Sequence, residues 1–209
     1  MAQVQVNNSV MATMLAEVDK VVQLQPHLPV IIAIDGNCGS GKTFYADKLA
    51  AHFCANVVHC DDFFLPRNMR TATRLNEVGG NIHYERLREV LLRLSSGELL
   101  DSGQSNNMPF TYSAYNCSTD SFEERTLFKS NVVIVEGSYA LHPFLREFYD
   151  LKIVLTVDRH TQLQRLILRE GEQGVANFIN KWIPLENKYF ATLDTTDCTV
   201  IDTNIYEKH

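Results

Sequence analysis

The feature that most constrains this chain is a glycine-rich motif, G-N-C-G-S-G-K-T, at residues 36–43. The motif fits the pattern G-x-x-x-x-G-K-[ST], whose glycines allow a loop that turns successive backbone N–H groups inward. A β-branched run, V-I-I-A-I at residues 30–34, precedes the loop, and residues 44–53 have helical spacing after it. This strand–loop–helix context predicts a cradle for a nucleotide triphosphate, because the loop amides and the helix N-terminus both attract phosphate.

Each position of this P-loop has an expected role. Lys42 would reach the β- and γ-phosphates, and the hydroxyl of Thr43 would bind Mg²⁺. A glycine turn that arises by chance is the alternative, and the flanking strand and helix argue against it. We expect the nucleotide to contact the whole loop, which consists of Gly36, Asn37, Cys38, Gly39, Ser40, Gly41, Lys42 and Thr43.

Strand-like and helix-like segments alternate along the rest of the chain. Short apolar runs predict further strands at residues 56–60, 132–135, 151–157 and 199–201. Helical spacing predicts helices at residues 10–24, 84–94, 161–170 and 175–189. Pro26 and Pro29 would end the first helix, and Pro184 would kink or break the last. This alternation predicts the α/β class: a three-layer P-loop NTPase with a mainly parallel five-stranded sheet.

The length of 209 residues favours one domain, residues 1–209, that begins with the helix at about 10–24. Two excursions, at about 66–121 and 159–190, would cover the acceptor and form a lid. Within the first excursion, residues 66–83 are polar and indicate a loop over the site. Residues 101–121 are rich in Ser, Asn, Gly and Tyr, which is typical of either a mobile loop or a small hairpin.

Acidic residues follow two of the predicted strands. Asp61 and Asp62 come after the second strand, and only one of the two would face the phosphates because neighbouring side chains on an extended chain alternate. Such an acid takes the proton from an acceptor hydroxyl or holds Mg²⁺ through water, whereas a capping or surface aspartate is the alternative. Glu136 ends the run V-V-I-V-E-G, which is typical of a Mg²⁺ carboxylate beside a P-loop, and Gly137 would let the backbone pass close to a ligand.

Three arginines follow the fourth predicted strand: Arg159, Arg165 and Arg169. Arg165 and Arg169 are four residues apart and share a helix face. Their planar guanidinium groups suit phosphate oxygens, so we expect both in catalysis, from a lid that excludes water, and Arg165 also at the nucleotide. The alternative is a solvated helix on which Glu170 and Glu172 are the ion partners.

A group of mainly aromatic residues is the candidate lining of an acceptor pocket. Aromatic rings stack on bases, but they also fill cores, and both interpretations stay open here. The candidate substrate contacts, together with Asp61 and Glu136, are Phe64, Arg67, His83, Tyr84, Tyr112 and Tyr115, and Phe110 belongs to the same aromatic group.

Composition narrows the function classes. The net charge of −6 argues against a broad nucleic-acid surface, and no apolar run approaches the length of a membrane span. The five cysteines are odd in number and lack C-x-x-C spacing, so they indicate free thiols rather than a disulfide framework or a zinc site. We therefore expect a cytoplasmic protein with a small-molecule substrate, and with neither nucleic acid nor membrane as partner. Self-association stays open.

Five segments in this order resemble the uridine kinase family, and its bacterial branch above all: G-N-C-G-S-G-K-T, H-C-D-D-F-F-L-P, G-G-N-I-H-Y-E-R-L, V-V-I-V-E-G-S-Y-A-L-H-P and F-I-N-K-W-I-P-L-E-N-K-Y-F. The resemblance covers roughly residues 28–203. It implies an NMP-kinase-like fold and transfer of the ATP γ-phosphate to a nucleoside 5′-hydroxyl. It also implies Asp61 as the base, Glu136 as the acid on the Mg²⁺ side, and Arg165 and Arg169 as lid arginines.

The sequence departs from the family pattern on the acceptor side. His83 stands where relatives often have an aspartate, and Ser113 and Asn116 stand where they often have an arginine and an aspartate. Three hypotheses follow: a kinase for uridine or a similar nucleoside, a kinase for another hydroxyl compound such as a nucleotide, a pantothenate-like molecule or a sugar, and a non-catalytic nucleotide-binding regulator. The cofactors expected are ATP and Mg²⁺.

Overall fold

The computed structural model of the chain describes residues 8–25, 29–101 and 109–204. Pro26 and residues 102–108 of the 101–121 segment lie outside these ranges. The strands are β1 (Val30–Gly36), β2 (Asn56–His59), β3 (Phe110–Asn116), β4 (Ser121–Leu127), β5 (Val132–Glu136), β6 (Leu151–Thr156) and β7 (Thr199–Asp202). The helices are α1 (Asn8–Leu24), α2 (Lys42–Phe53), α3 (Ala72–Asn76), α4 (Tyr84–Ser95), α5 (Glu98–Asp101), α6 (Arg159–Asn177) and α7 (Ile183–Phe190).

Five of the strands form one sheet in the order β2-β5-β1-β6-β7, and every pairing in it is parallel. The central strand β1 pairs with β5 on one side and with β6 on the other, so the P-loop emerges from the middle of the sheet. The five parallel strands with helices packed on both faces confirm the predicted fold class.

Apolar side chains of the sheet pack on both of its faces. Alternate residues of β1 divide between two cores: Ile31 and Ala33 face the α4 side, whereas Ile32 and Ile34 face α1 and α2. Strands covered on both faces read as continuous apolar runs, which explains the pattern seen in the sequence. The three layers are therefore helix, sheet and helix.

The segment predicted as a mobile loop or a hairpin contains a hairpin. β3 and β4 are antiparallel, with Phe110 paired to Leu127 and Asn116 paired to Ser121. The hairpin extends beyond the predicted end at residue 121. Its second strand is exposed except at Leu127, so it carries little of the apolar alternation that identifies a strand.

The structure adds detail to two of the predicted segments. The loop at residues 66–83 contains the short helix α3, whose N-terminus is capped when the Thr71 side chain accepts a hydrogen bond from Arg74 N. Pro184 lies in the first turn of α7, directly after a π-helical turn at Phe178–Trp182, so the helix is irregular just before the proline. The backbone also breaks at Gly171, with φ 74° and ψ 170°, in the gap between the predicted helices at residues 161–170 and 175–189.

Among the described residues, none of the helices combines the length and the hydropathy that crossing a membrane requires.

Candidate active site

A cavity of about 820 Å³ opens beside the P-loop at the carboxyl ends of β1, β2 and β5. Its walls come from the P-loop, from the turns that follow β2 and β5, and from α6, α7 and the π-helical turn between them. This is the edge at which open α/β sheets bind their ligands.

The backbone of the P-loop takes a form that side chains would prevent. Gly36 has φ 151°, and a Cβ built there would lie 2.3 Å from the carbonyl oxygen of Leu155 on β6. Only glycine therefore fits where the loop leaves β1. Asp35, fully buried just before it, accepts hydrogen bonds from Gly36 N, Leu141 N and the Tyr189 hydroxyl. Burial raises the pKa of Asp35 to about 6 despite these bonds.

Lys42 begins α2 and points back along the P-loop. Its Nζ donates to the carbonyl oxygens of Gly36, at 2.7 Å, and Asn37, at 3.1 Å. Ser138 Oγ, which follows β5, lies 3.4 Å from the same ammonium. The charge is thus held at the mouth of the loop, where a phosphate group can replace carbonyl partners.

Thr43 and Glu136 lie in contact at the end of β5. Thr43 Oγ1 is 3.2 Å from each carboxylate oxygen of Glu136, and Glu136 is only 5% exposed. His59, at the end of β2, places Nδ1 2.6 Å from Glu136 Oε1. That hydrogen bond raises the pKa of His59. His59 was missed in the sequence, although its place beside two strand-end acids was a usable signal.

Asp61 and Asp62 point to different environments, as predicted, but for another reason. They lie in a 3₁₀ turn at Cys60–Phe63, in which successive side chains diverge around an axis, and not on an extended strand. Asp61 lines the cavity. Asp62 accepts a hydrogen bond from the Tyr112 hydroxyl at 2.7 Å and lies 3.8 Å from Arg125 Nε.

Asp61 is solvent-exposed and lines the cavity. Crowding by the surrounding protein atoms disfavours its charged form and raises its pKa, and the nearby Glu136 carboxylate adds to the increase. A carboxyl with a raised pKa beside a P-loop has the character of a general base.

Two of the three candidate arginines line the cavity: Arg165 and Arg169. Arg165 donates to the Gly39 carbonyl at 3.0 Å and to the Thr203 carbonyl at 2.7 Å, so it joins α6 to the P-loop. Arg169 is exposed at the cavity mouth and pairs with Glu170 at 2.6 Å. Arg159 is exposed at the start of α6 and does not line the cavity formed by the described residues.

The predicted acceptor residues separate into two sets. Phe64 lines the cavity, and its ring lies 6.1 Å from that of Trp182. The others contact the protein elsewhere and do not line the cavity within the described part of the chain; they are Arg67, His83, Tyr84, Tyr112 and Tyr115.

Each of those outer residues has a partner. The Tyr112 ring is buried and stacks on Phe63 at 5.4 Å. The Tyr115 hydroxyl is 2.5 Å from Asp120 and accepts from Arg67 N at 3.3 Å.

The two predicted residues at the start of α4 also have partners. His83 Nδ1 caps α4 by accepting from Arg86 N. Tyr84 stacks on His142 at 4.2 Å, with Arg74 over its ring at 3.9 Å. Phe110 is buried in the core.

Several cavity residues were missed in the sequence. Phe178, Trp182 and Glu186 all line the cavity from the π-helical turn and α7. Their spacing of four residues was the available signal, because it puts side chains on one helix face. Ser138 and Tyr139, two and three residues after Glu136, also line the cavity, and in the sequence they were identified only as part of the family motif.

The residues present fit a Mg²⁺–triphosphate group. The positive-φ glycines keep Cβ atoms out of the cradle, and the Ser40 hydroxyl is buried without a hydrogen-bond partner among the described residues. Hydroxyl and carboxylate oxygens are the ligands that Mg²⁺ prefers, and Thr43 and Glu136 supply both. Mg²⁺ usually takes one or two carboxylates and completes its shell with phosphate and water.

The model of the phosphoribulokinase / uridine kinase family matches residues 31–174. The chain belongs to this family. The match confirms the resemblance found in the sequence and the expectation of a small-molecule kinase.

Individual relatives of this family member are distant. It is 26% identical over 173 residues to a uridine kinase of Clostridium perfringens, covering 77% of this chain and 81% of the relative. It is 28% identical over 145 residues to the inorganic pyrophosphatase TTM2 of Arabidopsis thaliana, covering 69% of this chain and 20% of that much longer protein. The solved structure described as a possible uridine kinase from Bacillus stearothermophilus has a TM-score of 0.63 at 20% identity, covering 93% of this chain and 98% of that one. That likeness supports the fold.

Proposed function

We propose that this family member transfers the γ-phosphate of ATP to the 5′-hydroxyl of uridine or a similar nucleoside. The observation that supports this proposal most directly is the convergence of Lys42, Thr43, Asp61 and Glu136 on one cavity. A P-loop alone holds a triphosphate, whereas a carboxyl beside it provides a base for an acceptor hydroxyl.

Each side chain has a distinct part in the proposed transfer. Lys42 and the loop amides hold the phosphates, and Asp61 orients the acceptor hydroxyl and accepts its proton as the new P–O bond forms. Thr43 and Glu136 would hold Mg²⁺, which supplies charge neutralisation on the phosphate oxygens. Arg169 at the cavity mouth is free to turn from Glu170 towards developing charge, since that ion pair is exposed.

The acceptor end of the cavity favours a ring-shaped substrate. Phe64 and Trp182 form an aromatic wall, Ile82 lies in the same lining, and Asn81 adds an amide side chain. Aromatic walls bind bases by stacking, and an amide can pair with the donors and acceptors at a base edge. These features support a nucleoside over a flexible polyol.

A second candidate is a kinase for another hydroxyl compound. It is favoured by the contacts of the residues that depart from the family pattern. His83 caps a helix, and Asn116 Nδ2 donates to Glu123 at 2.8 Å, so both are engaged within the protein. The Ser113 side chain is exposed on the hairpin.

An acceptor panel tests the proposal. The full chain is incubated with γ-labelled ATP, Mg²⁺ and, in turn, uridine, other nucleosides, a nucleotide, pantothenate and sugars. We expect label on a pyrimidine nucleoside and its loss in Asp61→Asn. Label on a sugar or pantothenate alone selects the second candidate, and ATP binding without transfer to any acceptor contradicts both.

A further inference from the structure

Glu186 on α7 is a buried carboxylate that the proposed transfer does not use. It is 4% exposed and lines the cavity. Its Oε2 accepts a hydrogen bond from the backbone N–H of Cys38 in the P-loop at 2.8 Å, and its Oε1 accepts one from Ser138 Oγ at 2.6 Å. Both oxygens are therefore committed to groups that border the phosphate end of the cavity. Burying a carboxylate costs several kcal/mol, so these bonds must offset a large penalty.

The hydroxyl of Ser138 connects Glu186 to the phosphate-binding lysine. A serine hydroxyl has one proton and two lone pairs. The short, charge-assisted contact with Glu186 takes the proton, so a lone pair of the same oxygen is left for the Lys42 ammonium 3.4 Å away. Glu186 thereby fixes which way the Ser138 hydroxyl points, and that orientation makes Ser138 an acceptor for Lys42.

The peptide groups of Cys38 are fixed from two helices. Glu186 on α7 accepts from the N–H of Cys38, and Gln162 on α6 donates from Nε2 to its carbonyl at 2.9 Å. Gln162 is 5% exposed, so this second contact is also buried. Arg165 on α6 adds a bond to the next carbonyl, that of Gly39, at 3.0 Å. The first half of the P-loop is thus held by side chains of the predicted lid segment.

We propose that Glu186 is a positioning residue for phosphoryl transfer. Through Ser138 it sets the place of the Lys42 ammonium, and through the Cys38 N–H it fixes the P-loop relative to α6 and α7. A displacement of about 1 Å in such a group lowers transfer on the order of 10²-fold. This inference rests on the proposed function, because it concerns the same site.

A double-mutant cycle tests the connection through Ser138. The variants are Glu186→Gln, Ser138→Ala and the double variant, with Glu172→Gln, an exposed glutamate on α6, as the matched control. We expect each single variant to lower kcat about 10- to 100-fold while the dissociation constant of a non-hydrolysable ATP analogue changes less than about threefold. The double variant should be no more impaired than the more impaired of the two single variants, because both substitutions remove the same connection. Losses that multiply, or a Glu186→Gln enzyme with wild-type kcat, would overturn the proposal.

A second pair of variants covers the case in which Glu186→Gln does not fold. Ser138→Thr keeps the hydroxyl and should retain most of the activity, whereas Ser138→Ala should not. Equal activities of these two variants would also overturn the proposal.

A readout without turnover separates this inference from the proposed function. The phosphorus resonances of bound ATP report the position of the Lys42 ammonium beside the β- and γ-phosphates. We expect these resonances to shift in Ser138→Ala and Glu186→Gln and to stay in place in Glu172→Gln. Unchanged resonances in both variants would contradict the positioning role of Glu186. If the resonances shift but the protein phosphorylates no acceptor in the panel, the positioning role is supported and only the proposed function is refuted.

Discussion

The Thr43 hydroxyl lies 3.2 Å from both carboxylate oxygens of Glu136, and this contact joins the first turn of α2 to the end of β5. A hydroxyl proton can bond only one of those oxygens at a time, so the pair presents oxygen lone pairs at the cavity edge. On the neighbouring strand β2, His59 places Nδ1 2.6 Å from Glu136 Oε1. We therefore expect a divalent cation to bind beside the oxygens of Thr43 and Glu136.

Glu136→Gln should weaken the use of Mg²⁺. The amide keeps the volume but loses the charge, so the Mg²⁺ concentration for half-maximal activity should rise and kcat/KM should fall about 10- to 100-fold. Initial rates measured over a Mg²⁺ titration check this. Glu124→Gln, on the exposed strand β4, is the control. An unaltered Mg²⁺ dependence in Glu136→Gln would remove Glu136 from the cation site.

The pH dependence of transfer should report Asp61. Its pKa is raised by desolvation among the surrounding protein atoms and by Glu136. A base acts only when ionised, so kcat/KM should fall with decreasing pH at a higher pH than a free aspartate would give. Asp61→Asn should lose this limb together with about 10²- to 10⁴-fold in rate. Asp62→Asn is the matched neighbour, because Asp62 pairs with Tyr112 and Arg125 outside the cavity. If the acidic fall in kcat/KM disappears in Asp62→Asn and remains in Asp61→Asn, Asp62 and not Asp61 is the base.

Trp182→Ala should impair the acceptor and not the nucleotide. Stacking of a base on an aromatic ring contributes about 1–3 kcal/mol, so the acceptor KM should rise about 10-fold while ATP-analogue affinity is unchanged. Phe128→Ala removes an aromatic ring that is 57% exposed outside the cavity lining and serves as control. Steady-state kinetics, with the acceptor and ATP varied in turn, measure the KM of each substrate. A selective rise in the KM for ATP would place the nucleotide base, not the acceptor, against Trp182.

The contrast between the nucleotide side and the acceptor side explains what the sequence could predict. The P-loop and Glu136 follow strands whose apolar runs are continuous, so local pattern located them. The acceptor candidates Tyr112 and Tyr115 were chosen as aromatic residues in a polar segment, yet their rings and hydroxyls pack within and beneath the hairpin. Which face of a short strand meets a cavity depends on long-range packing, and that information is absent from local spacing.

In the predicted lid segment, residues 159–190, the sequence failed to identify side chains that do line the cavity. Trp182 and Glu186 share a helical face with Phe178, but the sequence indicates a core face and a cavity face equally well. Their position at the cavity depends on long-range contacts of α7: Glu186 accepts hydrogen bonds from Ser138, after β5, and from Cys38 N in the P-loop.

Gly36→Ala should abolish nucleotide binding and destabilise the fold. The added Cβ would lie 2.3 Å from the Leu155 carbonyl, so either β6 or the P-loop must move. Gly171→Ala is a useful contrast, since Gly171 also has a positive φ but no atom lies within 4 Å of the added Cβ. That variant should be destabilised by only about 1–3 kcal/mol, the backbone strain that a side chain adds at this φ, and it should keep its affinity for an ATP analogue. Denaturant unfolding and calorimetric titration measure the two effects. Analogue binding by Gly36→Ala at wild-type affinity would show that the loop tolerates a side chain there.

Asp35 should make stability fall with rising pH between about 4 and 6. Its folded pKa is about 6 against an ordinary value of 3.8, because burial disfavours the charge more than its three hydrogen bonds favour it. The folded state therefore holds this proton where the unfolded state has released it, so the stabilisation is complete below pH 4 and is lost as pH passes 6. A difference of two pKa units corresponds to about 3 kcal/mol. Asp35→Asn removes the titration, so the wild-type free energy of unfolding minus that of the variant should decrease over this range. Urea unfolding at half-unit pH steps measures that difference, and a difference that stays constant or rises with pH would show that the hydrogen bonds from Gly36, Leu141 and Tyr189 outweigh the burial.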